Sequence, residues 1–457
     1  MDFIQILPIE ILEEIFLFLD SIDLIRCSCV SYRWREVVNS NKIWSKRCAV
    51  EKILHKPYLK KEDSLFTNPM KMYKTSDSIS NRLTPTCHWR SHFNRYMYVK
   101  KNWRIGHYTM LRTKVKTSHY KEGMLINIED SRISVHLVPE SLEVPFYIEK
   151  RHKFTMVDNL LLKDGHIIYT QARYVACYKR QNNEFNLIYE FDVEKSICEG
   201  QPTRNHADRT LTAAVSDQFL LIQDNQNPCY LRFYHFTKGT LLKELSMHSL
   251  KALQLGRSVC PNISCLQVMN DKVYISYSIA NKHLISQYNF NTDKWGITFD
   301  THLRTIEIVS SNNFLCAKMS DMAFEKSCEL SVWSLHTKLE IALFCTNKNL
   351  PVILTQDGKI IYSEQDTIYV RGLVQSFEKE MDVSSRLDNM CLVWDKMLLV
   401  NLGCAIQLWD WVSGVRLHTF IRDAISNVWA DDKLIVVSIS RFINSYSPAG
   451  GYIIAFW

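Results

Sequence analysis

The sequence predicts a multidomain chain: a small all-α unit and a spacer helix, followed by an all-β propeller of seven blades, with room left for an eighth. Three observations carry this reading. Apolar residues recur at helical spacing through the first fifty positions, and that periodicity fades after about residue 105. Beyond it a turn-then-strand unit returns about every 44 residues, close to the ~40–45 residues of a four-stranded blade.

The first element opens at Leu7-Pro8, where proline bends the entry, and Ile11, Leu12, Ile15, Phe16 and Leu19 then form one apolar stripe. Glu10, Glu13 and Glu14 lie in its first turns, where carboxylates favour the positive end of the helix dipole. Asp23 is expected to cap a second helix with Leu24, Cys27 and Val30 on one face. Ser31 is expected to cap a third with Trp34, Val37 and Val38, and Trp44 follows on a short turn. Short helices over some forty residues hide too little surface to be self-sufficient, so this unit needs a partner, or else packs on its own chain.

Leu7, Pro8, Glu10, Ile11, Ile15, Phe16, Leu19, Asp20, Asp23, Leu24, Val30, Trp34, Arg35 and Trp44 stand where an F-box has its characteristic residues, and residues 1–55 resemble that family. The resemblance implies docking on the Skp-type adaptor of a cullin-based ubiquitin ligase, and through it on the cullin and RING subunits. The adaptor-binding residues it implies are Leu7, Pro8, Ile11, Ile15, Phe16, Leu19, Leu24, Val30, Trp34 and Trp44.

Of the 457 residues 46% are hydrophobic, enough for one small and one large core, and the formal net charge is +7. That excess is local, because residues 56–116 hold 14 basic groups against 3 acidic ones. Residues 56–87, rich in Lys, Ser, Thr and Pro without periodicity, read as a flexible basic linker. With few arginines and no ordered platform for its aromatics, the linker does not suggest a nucleic-acid site, and nucleic acid is not expected among the partners. Residues 88–105 place Trp89, Phe93, Tyr96 or Met97, and Lys100 on one face of a spacer helix. Cys87, His88 and His92 lie close together, but the glutamate of HExxH is missing and no third ligand is spaced for zinc.

In residues 106–457 an Asp or Asn opens a turn before an apolar strand at Asp164, Asp217, Asp271, Asn312, Asp357, Asp395 and Asp431. The next strand carries an aromatic at a matching place in six of the seven units: Tyr178, Tyr234, Tyr288, Trp333, Trp409 and Phe456. The fifth has Arg371. Residues 121–150 fit no unit and read as an insertion or an extra blade. The last unit reaches only its third strand at 451–457, so residues 108–115 are expected to pair beside it and fasten both ends of the domain.

Trp409-Asp410 followed by Val412-Ser413-Gly414 supplies the dipeptide and turn of a WD repeat, and the other units resemble degenerate versions. Asn102-Trp103-Arg104-Ile105-Gly106 and the stretch from Asp164 to Arg180 are similar to the dactylin-like F-box/WD-repeat proteins. The resemblance implies a non-catalytic substrate receptor of an SCF-type ligase. An F-box scaffold acting without the cullin, and a propeller enzyme with an axial ligand, are the alternatives.

No GxGxxG, P-loop, GxSxG or HExxH is present, so no cofactor, metal or catalytic residue is expected. Arg209, Arg304, Arg386 and Arg422 fall in connectors between blades, and Arg173 and Arg441 in hairpins sharing that face. Together they are the candidate substrate-binding residues for a phosphorylated or acidic protein segment, unless neighbouring aspartates absorb their charge. Fourteen cysteines without a CxxC pair suggest free thiols, and with no signal peptide or membrane segment read, a cytoplasmic or nuclear location.

Overall fold

A computed structural model describes residues 6–51, 53, 87–113, 117–138, 141–152, 156–181, 184–193, 211–225, 229–247, 261–279, 282–320, 327–383, 385–394, 396–439 and 450–456. The basic linker up to residue 86, Asp395, Arg209 and Arg441 lie outside them.

The first compact unit comprises residues 1–111 with 432–435 and 453–457. Its helices are α1 (Ile9–Phe16), α2 (Ser21–Cys27), α3 (Tyr32–Val38), α4 (Asn41–Val50) and the spacer helix α5 (His88–Ile105). The cap of α2 is Asp20, whose carboxylate accepts from the amide of Asp23 at 2.8 Å. The cap therefore sits three residues earlier than expected, and Asp23 lies inside the helix, paired with Arg26 at 2.9 Å. Ser31 caps α3 and Ser40 caps α4, so Trp44 belongs to a ten-residue helix and not to a short turn.

The core of this unit is Leu12, Phe16, Leu24, Val37, Val38, Ile43, Trp44 and Cys48, completed by Phe93 of α5. Trp44 is fully buried, stacks obliquely on Phe93 at 5.1 Å and donates its indole N–H to the carbonyl of Val38 at 2.7 Å. At its far end α5 buries Trp103, which stacks on Phe456 at 3.8 Å and donates to the carbonyl of Asp432 at 3.1 Å. Gly106, left-handed at φ 69°, ends the helix as only a residue without Cβ does cheaply.

The second unit, residues 112–431 and 436–452, carries the propeller. The described residues form eight four-stranded sheets, not seven. They span 119–149, 159–192, 211–246, 262–301, 305–347, 353–382 and 389–422; the eighth combines Ile425–Ala430, Leu434–Ile439 and Gly451–Ala455 with Thr109–Thr113 as its outer strand. The closure expected for 108–115 is therefore made. The inner strand His119–Lys121 lies against Ile425–Ala430, and the Tyr120 hydroxyl bonds Asp431 at 2.5 Å.

The extra blade is 119–149, the stretch that fits no unit of the repeat. Its first hairpin turns on Glu122 (φ 53°) and Gly123 (φ 75°), without the Asp or Asn that marks the others. Its third strand has His136 opposite Leu125, the site held by Tyr or Trp in blades two to five and seven. At this site the pairing to the outer strand slips in blades one to five and seven, beside His136, Tyr178, Tyr234, Tyr288, Trp333 and Trp409. Blade six has Arg371 there and pairs in register with Glu378. From blade one to blade seven apolar clusters run from each blade into the next, as where Phe219, Phe233 and Tyr288 join blades three and four. In blade seven the Asp410 carboxylate takes the amides of Val412 and Ser413 at 3.0 and 3.1 Å and shapes the turn that Gly414 completes at φ 74°.

Candidate protein-interaction surfaces

Two surfaces collect the residues singled out by the sequence. The first is built by α1 to α3. The stripe of α1 divides: Leu12 and Phe16 turn into the core, while Ile11 and Ile15 remain 49% and 40% exposed. Ile9, Phe18, Ile22, Ile25, Val30 and Tyr32 are also exposed, Val30 at 62%. Charged and polar contacts hold the helices beneath this apolar surface. Lys42 of α4 pairs with Glu14 at 2.9 Å and Glu13 at 3.5 Å, Ser40 bonds Glu13, and Arg47 donates to the carbonyls of Leu17, at 2.9 Å, and Leu19. Lys42, itself exposed, holds the Glu14 carboxyl below its usual range.

Of the ten adaptor-binding candidates, Phe16, Leu24 and Trp44 are core residues whose side chains offer nothing to a partner. Helical spacing detects apolar residues on either side of a short amphipathic helix and cannot say which side is covered by the chain itself. Leu7, Leu19 and Trp34 are half-buried at the margin of that core, and Pro8, Ile11, Ile15 and Val30 are exposed. Phe18, Ile22 and Ile25 are exposed apolar residues that were not among the candidates. Their signal was an apolar residue off the inward stripe of a short helix or at its end.

Cys87 is the N-cap of α5: its sulfur accepts from the amide of Arg90, and its own amide donates to Asn39 at 2.8 Å. Burial pushes the Cys87 thiol up and that of nearby Cys48 to about 11, the reverse of what a metal ligand or nucleophile needs. Among the described residues no three His, Cys, Asp or Glu side chains are grouped to hold a metal ion. Nor is any helix there long and apolar enough to cross a membrane. Eleven described cysteines are free, whereas Cys229 is disulfide-bonded, a departure from the expectation of free thiols throughout.

The second surface is the propeller face that collects the connectors between blades and the hairpins joining each blade's second and third strands. Arg173 stands in such a hairpin, and its guanidinium reaches the buried carboxylate of Asp224 in blade three at 3.5 Å. Arg386 is 90% exposed and pairs with Asp388 at 3.2 Å. Arg304 and Arg422 are exposed, and no ion pair joins either to another described residue. Thus two of the four described arginines have local carboxylate partners, and two keep their charge toward solvent.

Comparison with known proteins matches residues 4–49 to the F-box-like family. The same region is 36% identical over 47 residues to a Neurospora crassa protein named as a probable E3 ubiquitin ligase complex SCF subunit, scon-2. That alignment covers 10% of this chain and 7% of the relative. Among solved structures, the chain is similar to BamB from Moraxella catarrhalis, at TM-score 0.48 and 9% identity over 76% of this chain and 99% of the other. It is also similar to the Dos1 propeller, at TM-score 0.49 and 11% identity over 75% and 88%. The Neurospora crassa Pan2 WD40 domain follows at 0.42 and 8% over 66% and 89%. At these values the fold rests on the strand ladders themselves. The chain pairs an F-box-like domain with a propeller, an organisation consistent with an F-box/WD-repeat protein.

Proposed function

We propose that this chain is the substrate-receptor subunit of an SCF-type ubiquitin ligase, its F-box-like domain holding the Skp-type adaptor and its propeller holding the protein to be ubiquitinated. The observation that carries the reading is the exposure of the apolar residues Ile11, Ile15 and Val30 on a domain that matches the F-box-like family. An apolar patch of this kind on a small helical unit marks a protein-binding surface. In this reading Ile11, Ile15 and Val30 enter the adaptor, Leu7, Pro8, Leu19 and Trp34 border the contact, and Phe16, Leu24 and Trp44 hold the scaffold. Ubiquitin transfer belongs to the cullin-bound partners, and this chain supplies binding residues only.

Changing Ile11 and Ile15 together to aspartate tests it. Each truncated central anchor costs about 2 kcal/mol or more, so adaptor affinity should fall by more than about a hundredfold while the melting profile is unchanged. Coprecipitation of the adaptor by the double variant would defeat the reading. Adaptor without cullin in the wild-type precipitate would favour a scaffold that works outside the ligase.

For the substrate side, Arg304 and Arg422 are the guanidinium groups available to a phosphorylated or acidic segment, since Arg173 and Arg386 are occupied by Asp224 and Asp388. Replacing Arg304 and Arg422 with alanine should lengthen the cellular half-life of a substrate without loosening the adaptor. Phosphatase treatment of that substrate should weaken capture in the same way. Unchanged capture after both treatments would remove the arginines from the binding face.

A further inference from the structure

We propose that Arg35 and Arg90 form an oxyanion site in the helical unit, and that a carboxylate side chain of the docked adaptor fills it. The source of the carboxylate rests on the ligase reading, the site itself on its geometry. Two guanidinium groups meet on one residue, Ser28, which caps the C-terminal end of α2. Arg35 of α3 donates its Nε–H to the Ser28 carbonyl at 3.2 Å, and Arg90 of α5 donates to the Ser28 hydroxyl at 3.1 Å. That hydroxyl donates in turn to the carbonyl of Ile25 at 2.6 Å, which leaves its oxygen facing Arg90 as an acceptor. Arg90 also lies over the Trp44 ring, 5.5 Å from its centre. These tethers hold the two side chains next to each other before any ligand arrives.

Among the described residues no carboxylate pairs with Arg35 or Arg90. The acids on the same helices are committed elsewhere: Asp20 caps α2, Asp23 pairs with Arg26 at 2.9 Å, and Glu36 pairs with Arg33 at 3.3 Å. Both arginines are half-buried, and the Nε of Arg90 is buried without a hydrogen-bond partner. Burial pushes the Arg90 guanidinium below its usual range, and the charge of Arg35 pushes the same way. Two like charges, partly stripped of water and without a counter-ion, are an unfavourable arrangement in the free chain.

The donors define the ligand. Arg35 has both Nη groups without a hydrogen bond to a described residue, and Arg90 its Nε and Nη1. Planar guanidinium forks match the paired oxygens of a carboxylate. Position defines the source. Ser28 falls between Ile25 and Val30, exposed at 43% and 62%, and beside the exposed Cys29. An adaptor seated on Val30 therefore reaches the end of α2. A carboxylate brought there offsets the repulsion between the arginines and completes their hydrogen bonds, a gain present only in the complex. Arg35 was not among the adaptor-binding candidates, because apolar periodicity carries no information about a charged side chain.

The test measures the affinity of the full chain for a fluorescently labelled Skp-type adaptor, with circular dichroism melts in parallel. Arg35→Gln and Arg90→Gln should each weaken binding by about thirtyfold or more, the effect of removing one partner from a desolvated ion pair. The melting temperature should stay level or rise, because each change removes a like-charge repulsion, whereas loss of a purely structural residue would lower it. Inorganic phosphate should compete with the adaptor for the wild-type chain beyond what chloride does at equal ionic strength, and should not do so for Arg90→Gln. Undiminished affinity in both variants overturns the proposal and leaves the ligase reading standing, while a wild-type chain that does not bind the adaptor ends both. Phosphate that raises the melting temperature without competing assigns the site to a free anion and overturns the adaptor carboxylate. Should a variant melt lower than the wild type, the phosphate competition on the wild-type chain decides, and its absence overturns the proposal.

Discussion

Deleting residues 451–457 is expected to unfold the propeller as a whole and not merely to fray its last blade. The strand Gly451–Ala455 stands between Leu434–Ile439 and Thr109–Thr113, so its loss exposes two strand edges at once. It also removes Phe456, fully buried under Trp103. A ring stabilised by contacts from each blade to the next cannot lose one sheet and keep its neighbours covered. Calorimetry should show the main transition lost or broadened with aggregation, and an unchanged transition would mean that the ring does not depend on this strand. A point variant probes the same place more gently. Trp103→Ala removes the stack and the bond to Asp432, and should cost about 3–5 kcal/mol, the usual range for emptying a buried aromatic site.

A second large effect is expected for Trp44→Ala, with a character opposite to that of the Ile11 and Ile15 double variant. Trp44 fills the centre of the helical core, touches Phe93 and satisfies the carbonyl of Val38, so its truncation leaves both a cavity and an orphaned acceptor. The loss of about 3–5 kcal/mol equals most of what so small a core supplies. The helical unit should melt, and adaptor binding should disappear with the helical circular dichroism of residues 9–50. The aspartate variant should lose binding with that signal intact. If Trp44→Ala kept both its helical signal and its affinity, the core described around it would be wrong.

Much of the fold was legible because it is written in short-range chemistry. The apolar spacing of α1, the serine cap of α3 and the turn residues before each blade's second strand act over a few positions. The count of blades was not fixed, since blade one uses Glu122-Gly123 for its turn and His136 for its aromatic, substitutions that keep the geometry and erase the pattern. The interaction surfaces were readable only in part. Ile11 and Phe16 look alike in sequence, and what separates them is which side of α1 the later helices cover. Arg173 lost its apparent freedom to Asp224, 51 positions away, a pairing that sequence spacing cannot reveal.

The strand that completes blade eight also imposes a timetable. Trp103 waits for a partner 329 residues downstream, which at ribosomal speeds of about 5–20 residues per second is roughly 15–65 s of synthesis. The helical core, by contrast, needs nothing beyond Tyr96. On a translating ribosome the helical core is therefore assembled while all eight blades are still being added and the ring stands open. Any nascent chain that stalls before residue 451 carries a finished N-terminal handle attached to a sheet array that cannot close.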